Sequence, residues 1–273
     1  MTDALSAASE LTGVEATGAH RISGNVYEVE LADGDLVVAK RHDHPNAVLA
    51  EAKSLDWIAE PGVLPVPAVR GHNDEWLLID QIEPGRPADA EAFGRGLAEL
   101  HRAGAPAFGS PPPDGPRDAW IGLAPMIDKP VSTWAEFYAT QRIEPYLRHT
   151  DLPSELFGQV CARLDEFPAE PPARLHGDLW SGNVHWAADG RAWLIDPAAH
   201  GGHRETDLAM LRLFGCPLLD RVLGAYNEVY PLAEGWQRRV PLHQIFPLLV
   251  HTVLFGGGYA SQALSAARAA LRA

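Results

Sequence analysis

Apolar residues fall into short, strand-like groups near the start of the chain. Val26–Leu31 and Leu36–Lys40 are rich in β-branched and other apolar side chains, a composition typical of strands. The residues between them include Asp33-Gly34, a dipeptide common in hairpin turns. Two further strand patterns follow at Val66–Arg70 and Trp76–Gln81. Together these groups predict a small antiparallel sheet.

Helical spacing of apolar residues dominates the remainder of the chain. Over Asn46–Glu60, apolar residues recur at helical intervals until Pro61-Gly62 ends the pattern. A break rich in Pro and Gly follows at 83–87, and within the helical part after it Val184–Trp186 and Ala192–Ile195 predict one short hairpin. The same spacing predicts further helices at Ala90–Arg102, Thr133–Leu147, Ser154–Phe167, Thr206–Phe214, Leu218–Tyr230, His243–Leu254 and Ala260–Leu271.

These patterns divide the chain into two parts. The sheet and one helix fall in residues 1–82, and most helices fall in residues 83–273. The sequence therefore predicts an α+β, bilobal architecture with a small antiparallel-sheet N-lobe, 1–82, and a larger helical C-lobe, 83–273. Hydrophobic residues make up 46% of the 273 residues and charged residues 21%, so the chain can bury a sizeable core.

Charge and cysteine content exclude several classes of protein. The chain has 22 Lys and Arg against 36 Asp and Glu, a net charge of −14, and no run of basic residues. Such a chain repels a phosphate backbone, so we expect no nucleic-acid partner. Cys161 and Cys216 are too few for a disulfide framework and lack the spacing of metal ligands.

The sequence has no pattern of an export signal or a membrane span. Met1–Leu11 lacks the basic and continuous apolar regions of a secretory signal. The most apolar stretch, Ile245–Phe255, is too short to cross a bilayer and contains Pro247 and His251. We therefore expect a cytoplasmic protein without a membrane partner.

Three residues with proton- or metal-binding groups surround the hairpin predicted in the C-lobe. Asp178 and Asn183 precede it and Asp196 follows it, so the hairpin folds Asp196 back towards Asn183. In kinases a catalytic-loop aspartate accepts the hydroxyl proton, while a later asparagine and aspartate hold Mg²⁺. Taken singly, each residue is also a common turn or helix-cap residue. The spacing of all three favours phosphoryl transfer from ATP with Mg²⁺.

Lys40 ends the second predicted strand, and Glu51 lies in the helix that follows it. A kinase lysine in this position contacts the α- and β-phosphates and pairs with a helix glutamate. A solvent-facing role is the simpler interpretation of either residue alone. Combined with the C-lobe residues, the ion pair is the better hypothesis.

The remaining nucleotide contacts are predicted from position alone. The loop that covers the phosphates should lie between the first two strands, at Ser23, Gly24 and Asn25, although a G-x-G-x-x-G pattern is absent there. Backbone groups near Asp80 and Ile82, at the start of the linker between the lobes, are placed to meet an adenine edge.

Three segments of the C-lobe resemble the fructosamine kinase (ketosamine-3-kinase) family. They are His-Gly-Asp-Leu-Trp-Ser-Gly-Asn at 176–183, Ile-Asp-Pro-Ala at 195–198 and Gly-His-Arg-Glu-Thr-Asp-Leu-Ala-Met at 202–210. Trp180 is the discriminating residue, since other small-molecule kinases of this fold usually lack Leu-Trp-Ser-Gly. The resemblance extends from about Ile22 to the C-terminus. It implies the aminoglycoside-phosphotransferase and protein-kinase-like fold.

The resemblance implies ATP-dependent phosphorylation of the 3-hydroxyl of a ketosamine, a sugar joined to an amine by glycation. A 3-phosphate makes such an adduct unstable, so the implied role is deglycation repair of a small-molecule or protein-bound ketoamine. By position, Asp178 resembles the general base, Asn183 and Asp196 the Mg²⁺ ligands, and Lys40 with Glu51 the phosphate-binding pair.

The same resemblance suggests supporting and substrate-binding residues. Trp180 is expected to face the sugar, because an indole packs on C–H groups and attracts a cationic amine; a core aromatic is the alternative. His176 is expected to orient the catalytic loop and Asp207 to anchor it, although an ordinary helix-start carboxylate would also explain Asp207. Arg204 and Glu205 are candidate substrate contacts, with a structural salt bridge as the alternative.

Two other functions stay open on the sequence alone. One is a kinase of the same fold that acts on another hydroxyl, such as that of an aminoglycoside, choline or homoserine. The other is a nucleotide-binding pseudokinase, which the intact Asp178, Asn183, Asp196 and Lys40 disfavour. The sequence does not specify the sugar, the amine carrier or the oligomeric state.

Overall fold

A computed structural model of the chain describes residues 3–272, so Met1, Thr2 and Ala273, which belong to the predicted lobes, lie outside the described residues. The first part contains α1 Ala4–Thr12, β1 Ala16–Ser23, β2 Val26–Leu31, β3 Leu36–Arg41, α2 Ala47–Ala59, β4 Val69–His72 and β5 Trp76–Asp80. Its strands form a five-stranded antiparallel sheet in the order β1-β2-β3-β5-β4.

The sheet lies between the two helices of this part. Side chains alternate across a strand, so successive residues of β3 face opposite sides. Val37 packs with Ala7 of α1 on one face, and Val38 packs with Leu55 of α2 on the other. Because Lys40 is two residues after Val38, its side chain also points towards α2.

The rest of the chain is mainly helical. Its helices are α3 Ala90–Arg102, α4 Trp134–Phe137, α5 Glu144–Leu147, α6 Ser154–Cys161, α7 Glu205–Leu213, α8 Leu219–Val229, α9 Trp236–Phe255 and α10 Gly258–Ala270. Its strands pair as β6 Asp118–Ile121 with β7 Ala124–Ile127, β8 Ala173–Leu175 with β11 His200–Gly202, and β9 Val184–Trp186 with β10 Ala192–Leu194. A π-helical turn, Tyr138–Ile143, joins α4 to α5, and 3₁₀ turns lie at Leu164–Glu166 and Ser181–Asn183.

The α+β architecture predicted from the sequence is confirmed. The sheet comes first, the helices follow, and β2, β3 and α3 have the predicted bounds to within one residue. The division at residue 82 stays a prediction. Among the described residues, no helix combines the length and apolar character that spanning a bilayer requires.

Some elements differ from the prediction for identifiable reasons. The sequence patterns gave no sign of α1, because its buried side chains are small alanines rather than large apolar residues. β4 begins at Val69, since Pro67 lacks the N–H that a strand ladder needs. α9 begins at Trp236 rather than His243 and contains two prolines, which masked its helical spacing.

Side chains from both parts of the molecule join α2 to the helical part. Arg174 of β8 donates to Trp57 O at 2.8 Å and contacts Glu60 at 2.7 Å. Trp120 of β6 donates from Nε1 to Pro45 O, just before α2, at 2.9 Å. These contacts set the position of α2 and hence of the cleft between sheet and helices.

Candidate active site

A cavity of about 320 Å³ lies between α2, the β6–β7 hairpin and the loop after β8. Its walls bring together residues that are far apart in the sequence. Among the predicted site residues, the lining includes Lys40, Glu51, Asp178, Trp180, Asn183 and Asp196. The cavity is therefore the candidate active site.

The loop after β8, residues 176–183, is anchored from beneath by Asp207 of α7. The Asp207 carboxylate accepts hydrogen bonds from the backbone N–H of His176 at 2.8 Å and of Gly177 at 3.0 Å. His101 of α3 contacts the same carboxylate at 3.1 Å. Gly177 has φ +84°, and a Cβ there would lie 2.0 Å from Ala198 O. The sequence predicted that Asp207 anchors this loop, and the two backbone hydrogen bonds are consistent with that prediction.

His176 is buried and holds the loop through both ring nitrogens. Nε2 lies 3.0 Å from Ile195 O, to which it donates, and Nδ1 accepts from the backbone N–H of Asp178 at 3.3 Å. Burial lowers the pKa of His176, which favours the neutral ring that this pattern requires. The ring thus orients Asp178 and links the loop to the strand end before Asp196.

Asp178 and Asn183 face each other across the loop. Asn183 Nδ2 donates to the Asp178 carbonyl at 2.8 Å and to its Oδ2 at 3.1 Å. Burial raises the pKa of Asp178 to about 7, although the hydrogen bond from Asn183 opposes the shift. The nearby charges of Asp196 and Asp207 add to the increase. A carboxylate with such a pKa can take up a proton near neutral pH.

Lys40 lies between two carboxylates. Its Nζ is 2.7 Å from Glu51 Oε1 and also contacts Asp196 Oδ1. Burial lowers the pKa of Lys40, but the charges of Glu51 and Asp196 outweigh burial and raise it. Burial likewise raises the pKa of Glu51, but Lys40 and His42 bring it down to about 2. Both members of the pair are therefore charged at neutral pH.

Asp196 reaches this position through an uncommon backbone conformation. Its φ is +54°, in the left-handed region that a non-glycine residue seldom occupies. The preceding residue, Ile195, donates its N–H to Asn183 O at 3.1 Å, so the β9–β10 hairpin returns the chain to Asn183. The Asp196 side chain is 49% exposed and faces the cavity.

Trp180 lines the same cavity with its indole 40% exposed. One edge of the ring meets Phe214, with ring centroids 6.1 Å apart. The ring also covers Gly182, where an added Cβ would lie 2.2 Å from the indole. Trp180 is thus at the cavity surface rather than in the core.

The structure places Arg204 and Glu205 outside the lining of the cavity, a position that does not support their predicted contact with substrate. Arg204 donates to Glu170 at 2.8 Å and to Tyr230 O at 2.8 Å. Glu205 accepts from Arg239 at 2.9 Å. Both side chains are buried and do not line the cavity. Both residues form salt bridges between segments of the helical part. A structural salt bridge was the alternative to substrate contact in the sequence analysis.

Ser23 ends β1, and Gly24 and Asn25 form the turn to β2, but none of the three lines the cavity. Ser23 and Gly24 are exposed, and Gly24 has φ +46°. Asn25 donates from Nδ2 to Asp43 at 3.1 Å. Val26, the next residue, does line the cavity, so the turn lies at its edge.

Asp80 and Ile82 line a second, more open depression of about 340 Å³. Leu36 also lines it, at the opposite end of the β3 face that carries Lys40. Asp80 Oδ1 is 3.2 Å from Arg70. Asp80 and Ile82, predicted to lie near the adenine, are therefore at one end of β3, and Lys40, predicted to contact the phosphates, is at the other.

Several cavity residues had no signal in the sequence. Trp120, Met126 and Asp128 enter the cavity from the β6–β7 hairpin, whose strands are too short to show alternation. His42 lies 3.1 Å from Glu51 Oε2. The contact between His101 and Asp207 joins residues 106 positions apart, which local patterns cannot reveal.

Comparison with known proteins identifies the family. A family model described as fructosamine kinase matches residues 4–273 of this chain. A probable ketoamine kinase from Thermus thermophilus is 38% identical over 229 residues, covering 83% of this chain and 84% of that protein. A crystal structure from Thermobifida fusca, described as a fructosamine-3-kinase, is 48% identical with a TM-score of 0.90 over 99% of both chains.

A more distant structure defines the fold. The macrolide 2'-phosphotransferase from Brachybacterium faecium is 17% identical, with a TM-score of 0.63 over 97% of this chain and 98% of that one. At this identity the match shows the fold alone, which is the bilobal, protein-kinase-like fold predicted from the sequence. Because the family model matches nearly the whole chain, the protein belongs to the fructosamine kinase family and is an ATP-dependent phosphotransferase with a hydroxyl acceptor.

Proposed function

We propose that this enzyme transfers the γ-phosphoryl group of ATP to the 3-hydroxyl of a ketosamine, such as a fructosamine or ribulosamine. The observation that carries the proposal is a single cavity lined by Asp178, Asn183, Asp196, Lys40 and Trp180. The first four supply the groups that phosphoryl transfer requires. Trp180 supplies an apolar face for a sugar.

Asp178 acts as the general base in this proposal. Its carboxylate accepts the proton of the 3-hydroxyl as the oxygen attacks the γ-phosphorus, and the bond to the β-phosphate oxygen breaks. Its pKa of about 7 suits this transfer, because a base is most effective when its pKa is near the working pH. The ring of His176 and the amide of Asn183 hold the carboxylate in place.

Asn183 and Asp196 fit a magnesium site by their donor chemistry. Mg²⁺ prefers oxygen ligands, and the Asp196 carboxylate and Asn183 amide oxygen meet that preference at the cavity wall. The hydrogen bond from Ile195 to Asn183 and the contact with Lys40 hold the Asp196 carboxylate in that position. When bound there, Mg²⁺ would neutralise charge on the β- and γ-phosphates.

Lys40 and Glu51 form the phosphate-binding pair in the proposal. Glu51 holds Lys40 Nζ at 2.7 Å, so the ammonium is directed into the cavity. Ser23, Gly24 and Asn25 lie at the cavity edge, as a turn covering the phosphates would.

The adenine would lie at the other end of the β3 face, near the backbone of Asp80 and Ile82. This placement is consistent with their position beside the second depression, with Leu36 from β3. We also propose that the N-lobe, 1–82, holds the nucleotide and that the C-lobe, 83–273, supplies the acceptor site.

The cellular role follows from the product. A ketosamine 3-phosphate is unstable, so the proposed reaction repairs glycated amines, whether these are small molecules or residues of a protein. Both cysteines of the described chain, Cys161 and Cys216, are free thiols. A reducing cytoplasm is the compartment that we propose.

The proposal is tested by acceptor comparison. Purified protein with Mg-ATP is supplied in turn with a synthetic fructosamine, a ribulosamine, choline and kanamycin, and ADP release is measured. We expect turnover with a ketosamine and at most slow ATP hydrolysis with the others. Turnover with choline or kanamycin and none with either ketosamine would assign the enzyme to another hydroxyl acceptor.

A further inference from the structure

A continuous group of aromatic rings leads from the cavity onto the surface at the end of α9. Trp180, on the cavity wall, meets Phe214 with ring centroids 6.1 Å apart. Phe214 lies 4.7 Å from His251, which lies 5.4 Å from Phe255 and 5.0 Å from Tyr259. Each separation is typical of aromatic rings in contact. We call these five residues the aromatic track, of which only Trp180 has a role in the proposed function.

The outer end of the aromatic track is open to solvent. Phe255, the last residue of α9, is 66% exposed, and Leu123 in the β6–β7 turn is 70% exposed. Among residues 3–272 these are the two most exposed large apolar side chains. Single exposed apolar side chains are common, whereas a contiguous group of them marks a binding surface.

The β6–β7 turn and the end of α9 meet at the cavity edge. An added Cβ at Gly122, which lines the cavity, would lie 3.8 Å from Leu254 Cδ1. Leu123 and Phe255 are the next residues along the chain on the two sides of this contact. The aromatic track therefore continues the wall of the cavity beyond Trp180.

The middle of the aromatic track carries no charge at neutral pH. His251 donates from Nδ1 to Pro247 O at 2.7 Å, and burial lowers its pKa. The neutral ring lies between Phe214 and Phe255. Such a surface favours an apolar ligand group, since a charged group would lose hydration there without gaining a partner.

We propose that the aromatic track binds the apolar part of the amine carrier of the ketosamine, so that the enzyme prefers adducts of amines with an aryl or large alkyl group. The inference rests on the proposed function, which places the sugar against Trp180. The carrier extends from the sugar through its nitrogen, and the apolar surface beyond Trp180 begins at Phe214. Phe214, His251 and Phe255 are thus specificity-determining residues that take no part in the phosphoryl transfer.

Two ketosamines that differ by one phenyl group test the proposal. They are 1-deoxy-1-(butylamino)fructose and 1-deoxy-1-(4-phenylbutylamino)fructose, which share the sugar, the cationic nitrogen and the four-carbon chain. Steady-state kinetics are measured with the unaltered enzyme, with Phe255→Ala and with Leu5→Ala. Phe255 is largely exposed, so its truncation should leave the fold intact. Leu5→Ala is the matched control, because it shortens an exposed apolar side chain of α1, outside the cavity lining.

We expect the unaltered enzyme to have a KM about tenfold lower for the phenylbutyl adduct, a difference of about 1.4 kcal/mol that partial burial of a phenyl ring supplies. Phe255→Ala should raise the KM for the phenylbutyl adduct so that the ratio falls to about threefold or less. The KM for the butyl adduct and for ATP should stay within about twofold, as should kcat, because the phenyl group binds away from the reacting atoms. Leu5→Ala should change none of these values.

Four results would overturn the inference. Equal KM values of the unaltered enzyme for the two adducts, with turnover of both, would reject the carrier site and leave the proposed function intact. An equal rise in KM for both adducts in Phe255→Ala would assign Phe255 to the support of the cavity. A dimer that Phe255→Ala converts into a monomer, measured by sedimentation, would assign the surface to a second copy of the chain. Absence of turnover with either adduct would reject the proposed function itself and this inference with it.

Discussion

Opposing local effects determine the pKa of Asp178. Burial and two neighbouring carboxylates raise its pKa to about 7, and a hydrogen bond from Asn183 limits the increase. The folded chain therefore binds a proton at this residue more tightly than the unfolded chain, where the pKa is near 3.8. Ionised Asp178 costs stability, and this cost is present above pH 7 and disappears as the pH falls from 7 towards 3.8.

Asp178→Asn should consequently stabilise the protein while it removes the proposed base. At pH 8, without nucleotide or metal, we expect the free energy of unfolding to rise by on the order of 1 kcal/mol, which raises Tm by about 2–4 °C. The gain should be smaller at pH 5, where the native Asp178 is largely protonated. Thermal unfolding of both proteins at the two pH values measures the difference. A Tm that is lower for the variant at pH 8 would contradict a destabilising buried charge.

At the scale of elements, β3 and α2 are joined through a buried ion pair. Lys40 and Glu51 side chains are each 11% exposed, so their charges are poorly screened by water. Glu51→Gln leaves Lys40 with Asp196 alone. Breaking a buried pair typically costs 3–5 kcal/mol, and because the contact with Asp196 remains we expect a loss of about 2 kcal/mol.

The same variant should weaken nucleotide binding. Without Glu51 the Lys40 ammonium is paired with Asp196 alone and is less available to the phosphates, so we expect the Kd for ATP to rise about tenfold. Glu99→Gln is the matched control, because its pair with Arg102 is about half exposed and should contribute less than about 1 kcal/mol. Equal effects of the two variants on the Kd for ATP would contradict the role of the pair.

The position of Trp180 in the loop 176–183 depends on the glycine beneath its ring, Gly182. A Cβ at residue 182 would lie 2.2 Å from the indole, so Gly182→Ala must displace the ring from the cavity wall. We expect the KM for a ketosamine to rise roughly tenfold, with the KM for ATP unchanged. Gly224→Ala, on the exposed side of α8 with no atom within 4 Å of its added Cβ, should alter neither value. Steady-state kinetics with varied acceptor distinguish these outcomes from a general loss of folding.

Elements formed by local patterns could be predicted from the sequence, while contacts between distant segments could not. β2, β3 and α3 were predicted because each has its own apolar spacing and turn residues. The proximity of Asp178, Asn183 and Asp196 could be predicted because the first two are close in sequence and the hairpin returns the chain to Asn183. The salt bridge between Arg204 and Glu170 could not be predicted, since Glu170 lies 34 residues away on another segment. Asp128 had no signal at all, because only the folded hairpin brings it to the cavity.

For the whole molecule, α2 and the loop before it link the sheet to the helical part. Arg174 reaches Trp57 O and Glu60, Trp120 reaches Pro45 O, and the Ala199 N–H donates to Ser54 Oγ at 3.2 Å. The cavity is built across this junction, so a ligand that contacts both parts should stabilise the complete fold.

Mg-ATP at about 100 times its Kd should raise the free energy of unfolding by about 2.7 kcal/mol. In a chain of this size the corresponding rise in Tm is about 5–10 °C. Asp196→Ala should abolish the part of the shift that depends on Mg²⁺, because it removes a proposed ligand of the ion. Asp178→Asn should retain the shift, since the proposed base has no assigned contact with the nucleotide. Loss of the shift in both variants would indicate that the two carboxylates do not have separate roles.

The position of the transferred phosphate tests the central claim most directly. A synthetic fructosamine is incubated with Mg-ATP and the enzyme, and phosphorus–proton correlation NMR identifies the carbon that carries the new phosphate. We predict a phosphate on the 3-hydroxyl, formed at a rate that falls by about 10²–10⁴ in Asp178→Asn. A phosphate on another hydroxyl, or an undiminished rate in the variant, would contradict the account.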